Sequence, residues 1–415
     1  MMNNVKKDYF WNTLGTSLFS FNSLFLMIVV TRLNSLSDAG IFSFAYATAG
    51  IINYFALYSG RTYQISNSDK KYTDSLFIIT RYLTALCAMI ISIGFVTIMG
   101  YSFYKALIIL LLCMIKCFEA ICDVYYGILQ KNSKLFVVGK SMTYKSLVSI
   151  IGFIIIDFFS HNLLISCIYL LIVNILFLLL YDIFQTNKVK KFIKDFDQKN
   201  IIKLLQISSY TFLFMLIITI IMNLPRYFID SYLNDSDQAI YGILSMPATF
   251  VMLFSQFIFQ PSLVSLTSFY KQKDKSNFNL TVLKISSILL GSMFIIIPIA
   301  YFVGIPVLEF VYGVELSSYL IYLLLVILGS AFYAVSNVLL NALIVIHCNK
   351  EQLYIQIFIF LLSLFICFIL TSNFGIQGGL LSYFCILLLQ FIIYLLLYLY
   401  KVKKIFSHKI LKKGE

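Results

Sequence analysis

Lys116, Glu119 and Asp123 stand at spacings of three and four within a run, Ala106–Ile128, that is otherwise almost wholly apolar. On a helix this spacing puts all three on one face. Burial and like charge raise a carboxylate's pKa while a nearby ammonium lowers it, so such a face could hold a titrating, proton- or cation-responsive group. The plainer alternative is a Lys–Glu pair that fixes helix packing, and the sequence leaves both open. Other chemistry is poorly provided for. His161, His347 and His408 are scattered, and Cys113, Cys117 and Cys122 have no histidine beside them, which favours small buried apolar groups over a metal site. No phosphate-binding GxxxxGK[ST], no HExxH and no GxSxG is present. The expectation is a non-enzyme with no catalytic residue, no metal and no cofactor.

The elements that must position these residues follow from composition. Of 415 residues, 60% are hydrophobic and 12% charged, against roughly 45–50% and about 25% in soluble domains. Mean hydropathy is +0.91. So few charges cannot cover a water-soluble surface, and so many aromatics exclude disorder. The predicted class is an all-α polytopic membrane protein. Spans of roughly 20 apolar residues are predicted over 12–31, 41–59, 78–99, 106–128, 141–158, 163–182, 204–223, 239–265, 282–304, 317–346, 353–371 and 378–399. A barrel is excluded because its strands alternate polar and apolar residues, and the first run is too long, and too closely followed by others, for a cleaved signal.

Charge supports the same layout. With the N-terminus inside, 27 of the 31 basic residues fall on the cytoplasmic side beside 9 acidic ones. Only Arg32, Lys105 and Arg226 fall outside, against 7 acidic residues, and Lys116 lies within a span. This is the positive-inside pattern, and it predicts twelve helices with both termini cytoplasmic. The net charge of +13 is then topology and contact with anionic membrane lipids, with no nucleic-acid partner. The eight cysteines avoid the outer loops, so no disulfide is expected. The lysine-rich stretch between spans six and seven divides the chain into a lobe over 1–187, a linker over 188–203, a second lobe over 204–400 and a basic tail over 401–415.

The halves echo each other. Ser37-Asp38-Ala39-Gly40-Ile41-Phe42-Ser43 follows the first span, and Ser236-Asp237-Gln238-Ala239-Ile240-Tyr241-Gly242 follows the seventh, each with an arginine nearby. Six spans per half give both the same orientation, a parallel repeat about an axis along the membrane normal. The span count, the inner termini, Asn12-x-x-Gly15, Thr31-Arg32-Leu33 with Asp38-Ala39-Gly40-Ile41-Phe42, and Leu224-Pro225-Arg226-Tyr227-Phe228-Ile229 together resemble the polysaccharide-exporter branch of the multidrug/oligosaccharidyl-lipid/polysaccharide (MOP) exporter superfamily. The resemblance covers essentially the whole chain, although Ala239 stands where the family usually has glycine.

That resemblance implies two six-helix lobes in a bacterial cytoplasmic (inner) membrane, moving undecaprenyl-diphosphate-linked oligosaccharide to the outer leaflet for O-antigen, lipopolysaccharide or capsule assembly. A diphosphate-sugar head cannot cross hydrocarbon bare. A wet cleft between lobes would shield it, with cations for the diphosphate. The candidates are Arg32, Arg226 and Lys116, with Arg61, Arg81, Lys145 and Lys284 at the inner side. Arg61, Arg81 and Lys145 lie at span ends, where snorkelling to headgroups is the default. Glu119 and Asp123 become candidates for an ion-coupled gate driven by H+ or Na+. A polysaccharide polymerase and glycosyltransferases of the same pathway would be partners. A cation-coupled drug antiporter of the same superfamily is the alternative. A membrane glycan polymerase is more remote, because the longest expected outer link, Leu224–Gln238, is too short for a catalytic loop.

The topology has a direct check. Cysteine introduced singly at Ser160, Asp235 or Ser318 should react with an impermeant thiol reagent from outside, and at Ser133, Asn187 or Lys273 should not. External labelling of Asn187→Cys would overturn the six-plus-six division.

Overall fold

In hydrocarbon every backbone N–H and C=O must be paired internally, so a long apolar run closes its hydrogen bonds on itself as a helix. The computed structural model describes residues 2–58, 60–66, 72–189, 197–259 and 262–411, and over these its regular structure is entirely helical. The first helices are α1 (Met2–Leu33), α2 (Leu36–Leu57), the short α3 (Gly60–Ser66), α4 (Asp74–Met99), α5 (Phe103–Lys131) and α6 (Leu135–Ser160). α7 (Leu163–Phe177) runs through a π-helical turn, Leu178–Asp182, into α8 (Ile183–Val189). Then come α9 (Gln198–Tyr232), α10 (Asp235–Phe259), α11 (Ser262–Lys271), α12 (Lys275–Ile299), α13 (Ile305–Tyr312), α14 (Leu320–Val345) and α15 (Asn349–Leu411).

Among the described residues ten helical stretches are long and apolar enough to cross a membrane by length and composition. α5 is not one of them, since Lys116, Glu119 and Asp123 crowd its middle. α15 counts as one stretch, but Gly375 breaks its path with φ 56° and ψ −135°, a conformation open almost only to glycine. The expected outer link 224–238 is instead mostly helix, because α9 continues through Pro225 to Tyr232 and α10 starts at Asp235. On the other side, α8 and the start of α9 take up both ends of the expected 188–203 linker; residues 190–196 of it lie outside the described residues, as do 412–415 of the basic tail.

The chain divides into two compact units, Met1–Ile220 and Ile221–Glu415, with the division inside α9. In the first, α5 is the central element, packed on α2, α4 and α7, while α1 lies along α6. In the second, α14 takes the central place, against α10, α12 and α15. The sequence echo has a local cause in both. Ser35 Oγ accepts from Asp38 N at 3.0 Å, and Asn234 Oδ1 accepts from Asp237 N at 2.9 Å, so each motif caps a helix. Phe42 and Tyr241, at matching positions after those caps, are both 1% exposed.

α1 and α6 meet backbone to backbone. A Cβ on Gly15 would collide with the Gly139 carbonyl, and one on Gly139 would collide with the Trp11 carbonyl and Asn12 N. Small residues at a membrane helix contact permit this approach. Gly139→Val should therefore force the helices apart and cost about 1–3 kcal/mol. Thermal unfolding of the purified variant in detergent would register this as a lowered midpoint, whereas Gly50→Ala, where a Cβ meets nothing within 4 Å, should change little.

Candidate functional site

α5 carries its charge along one stripe, and the structure gives each group a partner on a different helix. Asp123 receives two guanidiniums: Arg61 of α3 at 3.0 Å and Arg81 of α4 at 3.4 Å. Arg61 also donates to Gln130 Oε1 at 2.9 Å, one further turn pair along α5. Arg81 is 3% exposed and donates to the carbonyls of Ala56 (3.2 Å) and Leu57 at the end of α2. A helix end leaves its last carbonyls without partners and carries partial negative charge. Arg81 thus caps α2 and neutralises Asp123 together, and it does not snorkel. Gln64 of α3 reaches over Gly127 and donates to Val124 O at 3.1 Å.

Toward the middle of α5, Lys116 pairs with Glu119 at 2.7 Å and donates to Tyr46 Oη of α2 at 3.1 Å. Its ammonium also lies 4.8 Å from the Tyr46 ring centre and 5.6 Å from that of Phe19 on α1. Lys145 of α6 approaches the same Phe19 ring, again at 5.6 Å. It is 2% exposed, so it too fails to snorkel, and its Nζ meets Cys122 Sγ at 3.9 Å. Beyond Cys122 lies Asp182, fully buried at the end of the π-helical turn, which accepts from Ser141 Oγ at 2.5 Å and Tyr126 Oη at 3.3 Å. Asp182 and Glu119 are the acidic groups within electrostatic reach of Lys145.

The first unit therefore holds a polar column along α5: Arg61 and Arg81 with Asp123, then Lys116 with Glu119, and Lys145 and Asp182 about Cys122. Four cations against three anions leave one net positive charge. In a medium of low dielectric such groups persist only when paired and hydrogen-bonded. What the column offers chemically is ammonium and guanidinium groups, each held by a side-chain partner. Lys145, which has a thiol rather than a carboxylate at hand, is the least committed of them.

The second unit holds a smaller polar spot. Arg226 of α9 donates to Ser245 Oγ of α10 at 3.0 Å, and its guanidinium lies 5.0 Å from the centre of the Tyr241 ring. Tyr383 of α15 is close enough to interact electrostatically. Arg32 and Arg226 are not equivalent. Counted from the paired capping motifs, Arg226 matches Met27, and Arg32 matches Ser231. Arg32 is exposed, at the end of α1. Lys284 is exposed on α12 and joins neither cluster. Residues that the charge pattern alone did not single out are Tyr46, Phe19, Gln64, Ser141, Tyr126 and Asp182. Asp182 had a signal, a lone carboxylate closing the apolar run Leu178-Leu179-Leu180-Tyr181.

Comparison with known proteins agrees with the resemblance read from the sequence. No family model matches the chain. A capsular polysaccharide biosynthesis protein, CapF of Staphylococcus aureus, is 27% identical over 390 residues, covering 92% of this chain and 95% of that one. An inward-facing multidrug resistance MATE family transporter of the MOP superfamily superposes with a TM-score of 0.70 at 14% identity, covering 95% of this chain and 98% of the other. The lipid II flippase MurJ in an inward closed conformation gives 0.64 at 17% identity, covering 97% and 88%.

The Lys116–Glu119 pair is 12% and 13% exposed, so breaking it strands a charge. Lys116→Met should destabilise by about 3–5 kcal/mol, and Lys116→Met with Glu119→Gln should recover most of that loss. Folded yield and thermal midpoint in detergent would show the order double above single; the reverse order would mean the pair contributes nothing.

Proposed function

We propose that this multi-pass membrane transporter, which has the fold of the MOP superfamily, moves a polyprenyl-diphosphate-linked oligosaccharide across a bacterial cytoplasmic membrane, from the inner leaflet to the outer. The observation that carries the reading is the similarity to CapF along nearly the whole of both chains, and the fold shared with a lipid II flippase supports it. Capsule-type polymer assembly is the pathway this favours, with a polymerase and glycosyltransferases as partners. The topology that goes with it is twelve spans in two six-helix lobes, both termini cytoplasmic. It is supported by the ten long apolar stretches, by α5 with its paired charges, and by the Gly375 break that makes two spans of α15.

In this reading the mechanism is alternating access. The head of the substrate brings two phosphates into a low-dielectric path, where they need cations that can change partners. Lys116 and Lys145 are the groups placed for that exchange, giving up Glu119 and the Cys122–Asp182 side respectively. Released Glu119 would then take a proton or Na+, which couples transport to an ion gradient. Arg226, over its Tyr241 ring, serves a phosphate or sugar in the second lobe; Arg32 and Lys284 serve at the two surfaces. Arg61 and Arg81 keep Asp123 and the end of α2 fixed. A second reading, cation-coupled drug efflux, is favoured by the MATE superposition, and the same column would then serve ion coupling alone.

Depletion of the protein in its host should accumulate lipid-linked oligosaccharide on the inner leaflet and stop polymer at the surface. Depletion that leaves the lipid-linked oligosaccharide at its normal level but abolishes dye efflux would favour the antiporter. Arg226→Ala should lower export while membrane abundance stays near normal, and Arg226→Lys should rescue in part, since charge is kept and the bidentate fork is lost. Lys116→Met with Glu119→Gln tests the coupling. Normal export per folded molecule, with an unchanged profile between about pH 5 and 8, would reduce the pair to a packing device.

A further inference from the structure

Away from the charged column, α12, α14 and α15 of the second unit enclose a groove of about 890 Å³. Its polarity is graded along its length. Lys275 and Lys403 line one end, at the start of α12 and near the end of α15, and Asn279 and Tyr398, joined by a 2.7 Å hydrogen bond, lie just behind them. The far end is Leu290, Val335 and Phe391. From Lys275 to Leu290 is roughly 22 Å of helix at 1.5 Å per residue. That equals about half of a bilayer's full thickness of 40–45 Å with its headgroups. The rim is open to hydrocarbon, with Leu280, Leu283 and Leu399 exposed by 60%, 64% and 58%.

The charges around the basic end are already committed. Asp274, next to Lys275, caps α12 by accepting from Asn277 N (3.0 Å) and Asn277 Nδ2 (2.6 Å), which holds its carboxyl below the usual range. Glu351 is taken by Lys401 at 2.5 Å. Among the described residues neither Lys275 nor Lys403 is in an ion pair. Two cations at the membrane surface, a polar pair beneath them and one leaflet's depth of apolar wall match a single amphiphile with an anionic head. A many-isoprene prenyl chain would overrun a groove of this length, whereas an acyl chain of ordinary leaflet length fills it. We propose that the groove is a binding site for one anionic glycerophospholipid of the adjacent leaflet, its phosphate on Lys275 and Lys403 and one acyl chain lying along α12. The lipid then acts as packing between α12 and α15, and the site stands whether the transported molecule is a lipid-linked sugar or a drug.

The test is native mass spectrometry of the full-length chain, released from detergent after incubation with phosphatidylglycerol, phosphatidylcholine of the same acyl chains, or a polyprenyl phosphate. One phosphatidylglycerol should be retained per chain, about tenfold or more above phosphatidylcholine, since each lysine near a surface favours an anionic lipid. Lys275→Ala with Lys403→Ala should bring it down to the phosphatidylcholine level, and Lys271→Ala with Lys350→Ala should leave it unchanged. Ser286→Phe, which fills the groove wall without touching charge, should remove retention of both glycerophospholipids. Equal retention of the two, retention indifferent to the double lysine variant, or displacement of phosphatidylglycerol by the polyprenyl phosphate would each overturn the proposal.

Discussion

Everything in the first unit is arranged around one carboxylate that cannot be left alone. Asp123 sits on a helix the membrane would otherwise reject, and a lone charge there would cost several kilocalories. Two arginines from two different helices meet it, and one of them also closes the end of a third helix. The pairing therefore welds α2, α3, α4 and α5 at one level. The Lys116–Glu119 pair, a turn further up the same stripe, is held in turn by Tyr46 of α2. On the α6–α7 side, Lys145 meets the Cys122 thiol and Asp182 accepts from the Ser141 and Tyr126 hydroxyls.

The two central helices differ in what they carry. α5 and α14 hold the same place in their units, each packed by three neighbours or more. α5 is charged along its face, while α14 carries Ser330, Ser336 and Asn341, whose side chains donate to carbonyls of the preceding turn of their own helix. Among the described residues the first unit carries its paired charges along its central helix, whereas the second has its Lys401–Glu351 pair on α15 and Arg226 on α9.

Much of this was legible before any coordinates. Hydropathy located the helices because burial of apolar area is additive and local. The i, i+3, i+7 spacing placed three charges on one face because helical geometry is fixed. The partners were not legible, since they depend on which helices touch. The Lys116–Glu119 pair is within one helix and legible from spacing, whereas the two arginines that meet Asp123 come from other helices. Arg81 and Lys145 sat where snorkelling is the rule, and only tertiary contact turned them inward. Arg32 and Arg226 stand at different distances from the capping motifs that follow them, five residues apart when those motifs are aligned. Outer and inner links were overestimated because helices in this chain run past their apolar segments, through Pro225 at one end and over Ile183–Val189 at the other.

The bare contact between Gly15 and Gly139 sets a clock on biosynthesis. α1 is made before its partner, since the surface it needs lies more than 120 residues later. At about 5–20 residues per second, the nascent helix waits roughly 6–25 seconds with its glycine notch unfilled. In that interval the notch must face either lipid, whose chains pack poorly into so narrow a groove, or the insertion machinery. The α1–α6 contact can therefore close only once α6 has been made, after the helices between them.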